Sequence, residues 1–301
     1  MSGDRPVVLL ATFSLLPDGE EWTGTNHLLE AFAERGIDAR WVVWDDPEVD
    51  WSAGLVAARS TWDYEQRREE FLAWARSLPR MLNSAAVFEW NTDKSYLPRL
   101  AAHGVPVVPT IVVETEAELP AAVAEVSADL GRPNAVVKPT VGAGGRGVVA
   151  ITGQQGDGTD GGPADLDESA LGAGPWAVQP MVESVRTEGE TSVFVIDGRV
   201  VSQAQKVPAA GEIRVHEKYG GSTVAVPVTD EAADLARRTV EAASSLLGET
   251  LDYARVDQMR LADGTLAVSE LEITEPGLYL DVLPGNAAVF ADLVLARLSA
   301  R

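Results

Sequence analysis

Apolar and polar positions follow two rhythms along this chain. Over roughly the first ninety residues, solid apolar runs alternate with stretches of helical spacing. Val7–Thr12 is a continuous apolar run of buried-strand type, and residues 37–44 and 55–59 read the same way. Between and after them, 27–35 and 65–77 carry apolar residues at helical intervals. Thr23 or Thr25 is the expected cap of the first helix, and Gly36 follows its end. Continuous strands interleaved with amphipathic helices predict a parallel sheet with helices packed on it.

The pattern changes near Asn91. A helix is expected over 92–102, ended by Gly104, then an extended segment over 105–113 with two prolines, then an Ala-rich helix over 116–130. Residues 135–139 and 148–151 form short apolar strands on either side of a glycine-rich loop. The stretch 153–174 is polar, acidic and Gly-rich, with too few apolar residues to fold alone, and is expected to be a mobile insertion. From Trp176 onward the chain reads as hairpins, with Asp197-Gly198 and Asp263-Gly264 as two-residue turns, plus helices over 231–247 and 287–298. No internal repeat is present. The expected architecture is α/β followed by α+β, in three lobes: 1–90, 91–182 and 183–301.

Composition narrows the function classes. The chain has 301 residues, 46% of them hydrophobic, and a net charge of −22. Such a field repels nucleic-acid phosphates and anionic membranes, so neither is an expected partner. With no cysteine, thiolate metal sites, iron–sulfur clusters, disulfides and cysteine nucleophiles are excluded together. The apolar run from Val7 to Phe13 is too short for an export signal, and nowhere do 18 apolar residues run together. A cytoplasmic protein is the expectation.

Gly142-Ala143-Gly144-Gly145-Arg146-Gly147 satisfies G-x-G-x-x-G. A dinucleotide fold needs a helix to open directly after it, whereas Val148 to Ile151 is a strand pattern. The Rossmann and Walker readings therefore fail. Two readings of the hairpin loop remain: an ordinary turn, or a flap that lays backbone N–H groups over nucleotide phosphates. Lys138, inside the apolar strand before the loop, favours the second, because a buried ammonium is costly unless paired.

Counted from the Asp263-Gly264 turn, Asp257 lies opposite Glu270 and Arg255 opposite Glu272. Asp257, Glu270 and Glu272 then share one face. Two carboxylates about 5 Å apart at an effective dielectric of about 20 repel by about 3 kcal/mol. Either this is a solvated acidic edge, or a divalent cation turns the repulsion into attraction. All-oxygen ligands select Mg2+ or Mn2+ over zinc. The histidines, His27, His103 and His216, are scattered without metal spacing.

In order, the chain carries Lys94, Lys138-Pro139, the glycine loop, Gln179 to Val182, Glu190, Lys206, Arg214, Asp257 and Glu270-Leu271-Glu272. This ordered set resembles the ATP-grasp superfamily, in its glutathione synthetase and D-alanine–D-alanine ligase branch, from about Asn91 to the end. Within it, residues 59–64 (RSTWDY), 91–94 (NTDK), 208–215 (PAAGEIRV) and 218–221 (KYGG) are similar to the cycloserine-forming cyclo-ligases and their relatives. Those enzymes spend ATP to close a ring on an O-ureido-serine.

The resemblance implies an ATP-grasp fold: a Rossmann-like N-terminal lobe, a small central lobe, and a C-terminal lobe that together sandwich ATP. It implies ATP with two Mg2+ (or Mn2+) held by Asp257, Glu270 and Glu272. Glu272 is a departure, since the family often has Asn there. Lys94, Lys138 and the loop glycines Gly144, Gly145 and Gly147 would meet the phosphates, and Lys138 would also lie near the adenine. The backbone from Gln179 to Val182 would read the adenine edge, and Glu190, or else Glu183, the ribose. Lys206 would neutralise the γ-phosphate and Arg214 an oxyanion. Arg59, Ser60 and Asp63 would bind a small amino-acid-like substrate.

The expected activity is ATP-dependent C–N ligation through an acyl phosphate, within one molecule or between two. A phosphotransferase and a non-catalytic nucleotide-binding protein are the competing classes. A homodimer is compatible with the resemblance.

Overall fold

The structure is a computed structural model that describes residues 5–21, 26–130, 134–153 and 171–300. Its strands form three sheets. In the first, β1 (Val7–Thr12) lies between β2 (Asp38–Val43) and β3 (Leu55–Ser60), all parallel. Helix α1 (His27–Glu34) is the crossover from β1 to β2; the 3-10 turn Trp51–Ala53 lies between β2 and β3, and α2 (Arg68–Ser77) leads from β3 to a parallel bridge between Val56 and Met81. Helix α1 is preceded by Asn26 at φ 53°, without a side-chain cap bond. The expected threonine caps, Thr23 and Thr25, lie outside the described residues.

The helix expected over 92–102 begins late, at Tyr96, and a further helix that the sequence did not predict precedes it. Helix α3 (Ala85–Asn91) is capped by Ser84, whose side chain accepts from the Val87 N–H, and α4 covers Tyr96–Ala102. Between them, Asp93 accepts from the Ser95 N–H, and the Lys94 N–H bonds to Thr140 O at 2.8 Å. A helical bond is thus exchanged for one to a segment more than forty residues away. The helix expected over 65–77 likewise begins late, because Tyr64–Gln66 is a separate 3-10 turn.

The second sheet runs β4 (Ile111–Val113), β7 (Trp176–Pro180), β5 (Asn134–Pro139), β6 (Val149–Thr152). Helix α5 (Leu119–Val126) covers one face, packing Leu119, Ala122 and Val123 on Val137, Ile151 and Val178. Most of the expected insertion over 153–174 lies outside the described residues.

The third sheet is antiparallel, in the order β10 (Ser222–Val226), β9 (Arg199–Val207), β8 (Glu190–Ile196), β11 (Tyr253–Arg260), β12 (Leu266–Glu272). Its apolar face, with Val193, Val195, Val256 and Leu271, packs on α6 (Asp230–Leu247) in a core shared with Val56, Phe71 and Phe88 of the N-terminal region. Helix α7 (Gly285–Ser299) packs on α1 through a second core containing Phe32 and Phe290. The sheet's other face carries the polar residues. Among the described residues, no helix is long and apolar enough to cross a membrane.

One turn differs from expectation in an instructive way. Asp197-Gly198 is a two-residue turn, both residues having positive φ, with Ile196 opposite Arg199. The Asp263-Gly264 turn is longer. Leu261 bonds to Thr265 across it and Gly264 has φ +87°, so the register near the turn is displaced by one residue, with Gln258 opposite Val268. A bulge at Ser269 restores it. Asp257 then faces Glu270, and Arg255 faces Glu272, as the sequence predicts.

Candidate active site

Register places one row of side chains across four strands. Lys206 of β9 faces Glu190 of β8, Ser192 of β8 faces Asp257 of β11, and Asp257 faces Glu270 of β12. The edge strand β12 is pinned from outside. Asn91 donates to Leu271 O at 2.7 Å and accepts from the Ile273 N–H at 2.9 Å, so an amide side chain stands in for a further strand. Tyr96 Oη accepts from the Leu271 N–H. The sheet position of the carboxylates is therefore fixed on both sides.

Carboxylate oxygens of Asp257, Glu270 and Glu272 all lie within 4.8 Å of one another. Cations compensate them. Asp257, 1% exposed, accepts from Ser192 Oγ at 2.6 Å, Lys206 Nζ at 3.0 Å and Arg255 Nη2 at 2.9 Å. Arg255 also pairs with Glu272, and its guanidinium lies over the Tyr279 ring at 5.1 Å. Lys94 Nζ is 3.2 Å from Glu270. Lys206 Nζ is shared with Glu190 at 2.8 Å, and Ser269 Oγ, placed by the bulge, donates to the other Glu190 oxygen at 2.6 Å.

Burial and charge set the protonation of this cluster. Burial opposes ionisation of Asp257, but Arg255 and Lys206 outweigh it and hold the carboxyl well below its usual range. Burial likewise opposes the charge on Lys206, and Asp257 and Glu190 keep it protonated. Glu270 is desolvated, yet Lys94 and Lys138 hold it ionised. For Glu272 burial prevails, helped by Glu270 and Asp257 against Arg255, and its pKa is pushed up to about 8. Glu275, buried beside Lys94 and Glu270, is raised to about 7, chiefly by burial.

Lys138 belongs to the same cluster. Desolvation lowers its pKa, with Lys94 acting in the same sense and Glu270, Glu190 and Asp257 in opposition. Among the described residues it has no hydrogen bond or ion pair, so its ammonium is available to a ligand. The central and C-terminal sheets therefore present lysines and carboxylates to one crevice. Oxygen-only donors of this compactness fit Mg2+ or Mn2+, and the surrounding ammonium groups fit a polyphosphate.

The remaining expected residues fall into groups. In the glycine loop, Gly144, Gly145 and Gly147 have φ of +60°, +71° and +68°, a backbone that side chains rarely adopt. Arg214 lies beside this loop rather than on the Asp257 trio: a Cβ on Gly145 would be 3.6 Å from its Cδ, while it pairs with Glu212 at 2.6 Å and its guanidinium is 3.6 Å from the Tyr219 ring centre. Gln179 Nε2 donates to Thr110 Oγ1 at 2.9 Å. Val182 precedes the 3-10 turn Glu183–Arg186, and Glu183 accepts from Asn134.

The substrate-binding set expected in the N-terminal lobe is only partly open. Arg59 is completely buried, pairs with Glu20 at 2.7 Å and donates to Pro276 O. Asp63 accepts from Trp44 Nε1 and pairs with Arg67, so both its oxygens are taken. Ser60 Oγ and the adjacent Thr61 Oγ1 are buried without a hydrogen-bond partner among the described residues.

Comparison with known proteins bears on the whole assembly. Residues 101–257 match the family model for the prokaryotic glutathione synthetase ATP-grasp domain, and residues 8–83 match the N-terminal domain of D-cycloserine synthetase DcsG. The chain is 36% identical over 291 residues to the cycloserine biosynthesis protein DcsG of Streptomyces lavendulae, covering 90% of this chain and 92% of that one. The chain is an ATP-grasp ligase of the DcsG family. A crystal structure of D-cycloserine synthetase DcsG superimposes with TM-score 0.82 at 30% identity, covering 97% of this chain and all of that one. The ATP-grasp ligase PsnB, solved with a precursor peptide and AMPPNP, shares the fold at TM-score 0.60 and 20% identity, covering 99% of each chain.

Several site residues of this ATP-grasp enzyme carry no local signal in the sequence. Arg255 marks only a register position there, although it alternates with Asp257 on the same strand. Ser192 and Ser269 carry no pattern of their own; their roles come from strand pairing and a bulge. Glu20 pairs with Arg59 and also accepts the Leu278 N–H, and Glu65 accepts the Ala143 N–H of the glycine loop; no local spacing reveals such distant partners.

Proposed function

We propose that this ATP-grasp ligase activates the carboxyl group of a small amino-acid-like substrate as an acyl phosphate and joins it to an amine nitrogen. In the form the DcsG likeness favours, that nitrogen belongs to the same molecule and a ring closes, as in cycloserine formation. The observation that carries the reading is the compact Asp257, Glu270 and Glu272 trio flanked by Lys94, Lys138 and Lys206. A protein that merely bound nucleotide would have no use for so much charge directed at a terminal phosphate.

In this reading a substrate carboxylate oxygen attacks the γ-phosphorus of ATP and ADP leaves. The nitrogen then attacks the acyl carbon, loses a proton, and inorganic phosphate departs. With O-ureido-serine the attacking nitrogen is the ureido N–O nitrogen, and its carbamoyl group must then be lost to water as carbon dioxide and ammonia for cycloserine to form. Bound Mg2+, held by the three carboxylates, would neutralise phosphate charge. Lys94, Lys138 and the glycine loop would orient the phosphates, Lys206 the γ-phosphate, the 179–182 backbone the adenine, and Glu190 the ribose. Arg214 would stabilise the oxyanion of the second step. The buried hydroxyls of Ser60 and Thr61 would receive the substrate, with Arg59 and Asp63 fixing the segment that carries them.

The test is ADP release over a panel of amino acids and O-ureido-serine, with Mg2+ and product mass detection. Cyclic product with ADP formation supports the ring-closing form. ADP with an amide between two molecules supports intermolecular ligation, and a released phosphorylated substrate would sink both.

A further inference from the structure

The glycine loop of residues 142–147 is fastened to the N-terminal lobe at residues 62–65. Glu65, in the turn that follows β3, accepts the Ala143 N–H at 2.6 Å with one oxygen and pairs with Arg146 through the other. Arg146 also donates to Trp62 O at 3.0 Å. From the other sides, Lys94 Nζ donates to Gly142 O at 2.7 Å, and Tyr219 packs so closely on Gly145 that a Cβ there would lie 3.2 Å from its ring. All three lobes touch the loop, and among the described residues the hydrogen bonds and ion pairs from the N-terminal lobe come from residues 62–65.

We propose that Glu65 is a positioning residue that latches the phosphate loop to the lobe that receives the carboxylate substrate. The proposal rests on the ligase reading above. Four glycines in six residues make ordering of this loop entropically costly, so it stays shut only where strong bonds hold it. A carboxylate that takes a backbone N–H and a guanidinium together is such a bond. The Glu65 side chain is only 10% exposed although the loop it holds lies at the surface. Glu65 also follows closely on Ser60 and Thr61, whose buried hydroxyls have no partner among the described residues. A substrate bonded to those hydroxyls fixes the backbone that presents Glu65, and through it the loop. Loss of the latch leaves the acyl phosphate open to water, so ADP forms without ligated product.

The test compares wild type, Glu65→Gln and Glu65→Ala with ATP, Mg2+ and O-ureido-serine, measuring ADP against product, alongside limited trypsinolysis after Arg146. Glu65→Ala is expected to release ADP in about fivefold excess over product and to be cut after Arg146 about fivefold faster than wild type. Glu65→Gln still accepts the Ala143 N–H without the ionic partner and falls between. Wild-type stoichiometry and cleavage in Glu65→Ala overturn the latch. Were that variant not to fold, Arg146→Ala, changed at an exposed position, is expected to give the same ADP excess, and its absence overturns the proposal equally. Should wild type make no product from O-ureido-serine, that substrate assignment fails, while the trypsin comparison still decides the latch.

Discussion

Glu270→Gln separates the chemistry of the acidic trio from its part in folding. The change removes one negative charge without altering shape. Two opposing consequences can be worked from the geometry. The attraction to Lys94 at 3.2 Å is lost, about 5 kcal/mol at an effective dielectric of about 20. Repulsion from Asp257, whose oxygens lie within 4.8 Å, is relieved by about 3 kcal/mol, while Glu272, its pKa raised to about 8, carries little charge near neutral pH. The two partly cancel, so metal-free stability is expected to fall by about 2 kcal/mol and Tm by about 6 °C. Turnover does not share this cancellation. A ligand that holds a divalent ion against developing phosphate charge has no substitute, and a loss of about a thousandfold in kcat, about 4 kcal/mol, is expected. ADP release at saturating Mg2+ and a thermal melt of the same sample decide the matter. Mg2+-dependent turnover within tenfold of wild type would refute the metal assignment, and a Tm collapse would show that Glu270 is structural instead.

Other consequences are open to simple measurement. Lys206→Met leaves Glu190 and Asp257 facing each other in a buried site, and a loss of about 3 kcal/mol in urea unfolding is expected, partly restored by adding Glu190→Gln; an unchanged midpoint would contradict the charge balance described. Glu272 and Glu275 have folded pKa values raised to about 8 and about 7, so the native state holds protons that the unfolded state has already released above about pH 4.5. Metal-free stability should therefore fall as pH rises through that window, by up to about 1.4 kcal/mol per group and pH unit, and Mg2+ should flatten the fall by displacing the Glu272 proton. A flat profile without Mg2+ argues against the raised values. Arg214→Ala is expected to lower kcat about a hundredfold while ATP affinity changes by less than about threefold; a selective loss of ATP binding would reverse its proposed role.

Much of the architecture was legible because burial leaves a periodic trace. Val7–Thr12 and the strand at 55–59 are continuous apolar runs because both faces of the first sheet are covered. Strands β8, β11 and β12 alternate because one face meets α6 and the other the crevice. The carboxylate row followed from that alternation plus a turn. There the inference had two errors that cancel: the Asp263-Gly264 loop is one residue longer than a two-residue turn, and the bulge at Ser269 returns the missing step. A sequence cannot announce such compensation, since Ser269 is an ordinary strand residue until its neighbours are known. The break at 92–95 was hidden for a similar reason. Lys94 gives its N–H to Thr140, more than forty residues away, and no local propensity records that exchange. Arg59 and Asp63 were legible as unusual residues in an apolar setting, but not as partners of Glu20 and Arg67.

The charge pattern of the site also explains how a cluster of carboxylates can exist in a folded, metal-free enzyme. Asp257, Glu270 and Glu272 would repel one another out of position if left alone. Arg255, Lys206 and Lys94 each neutralise one or two of them at hydrogen-bond range, so the trio is held in place before any ligand arrives. Electrostatic preorganisation of this kind costs nothing at the moment of reaction, because the dipoles and charges are already aimed. It also sets a requirement on binding. A divalent ion entering the trio competes with Arg255 and the lysines for the same oxygens, and the displaced cations need new partners. The phosphate oxygens of ATP are suited to that role. Metal and nucleotide should therefore bind with positive coupling, each raising the affinity for the other by the same factor. Lys138, which has no ion pair among the described residues, is the one lysine of the cluster that can meet phosphate without first giving up a carboxylate.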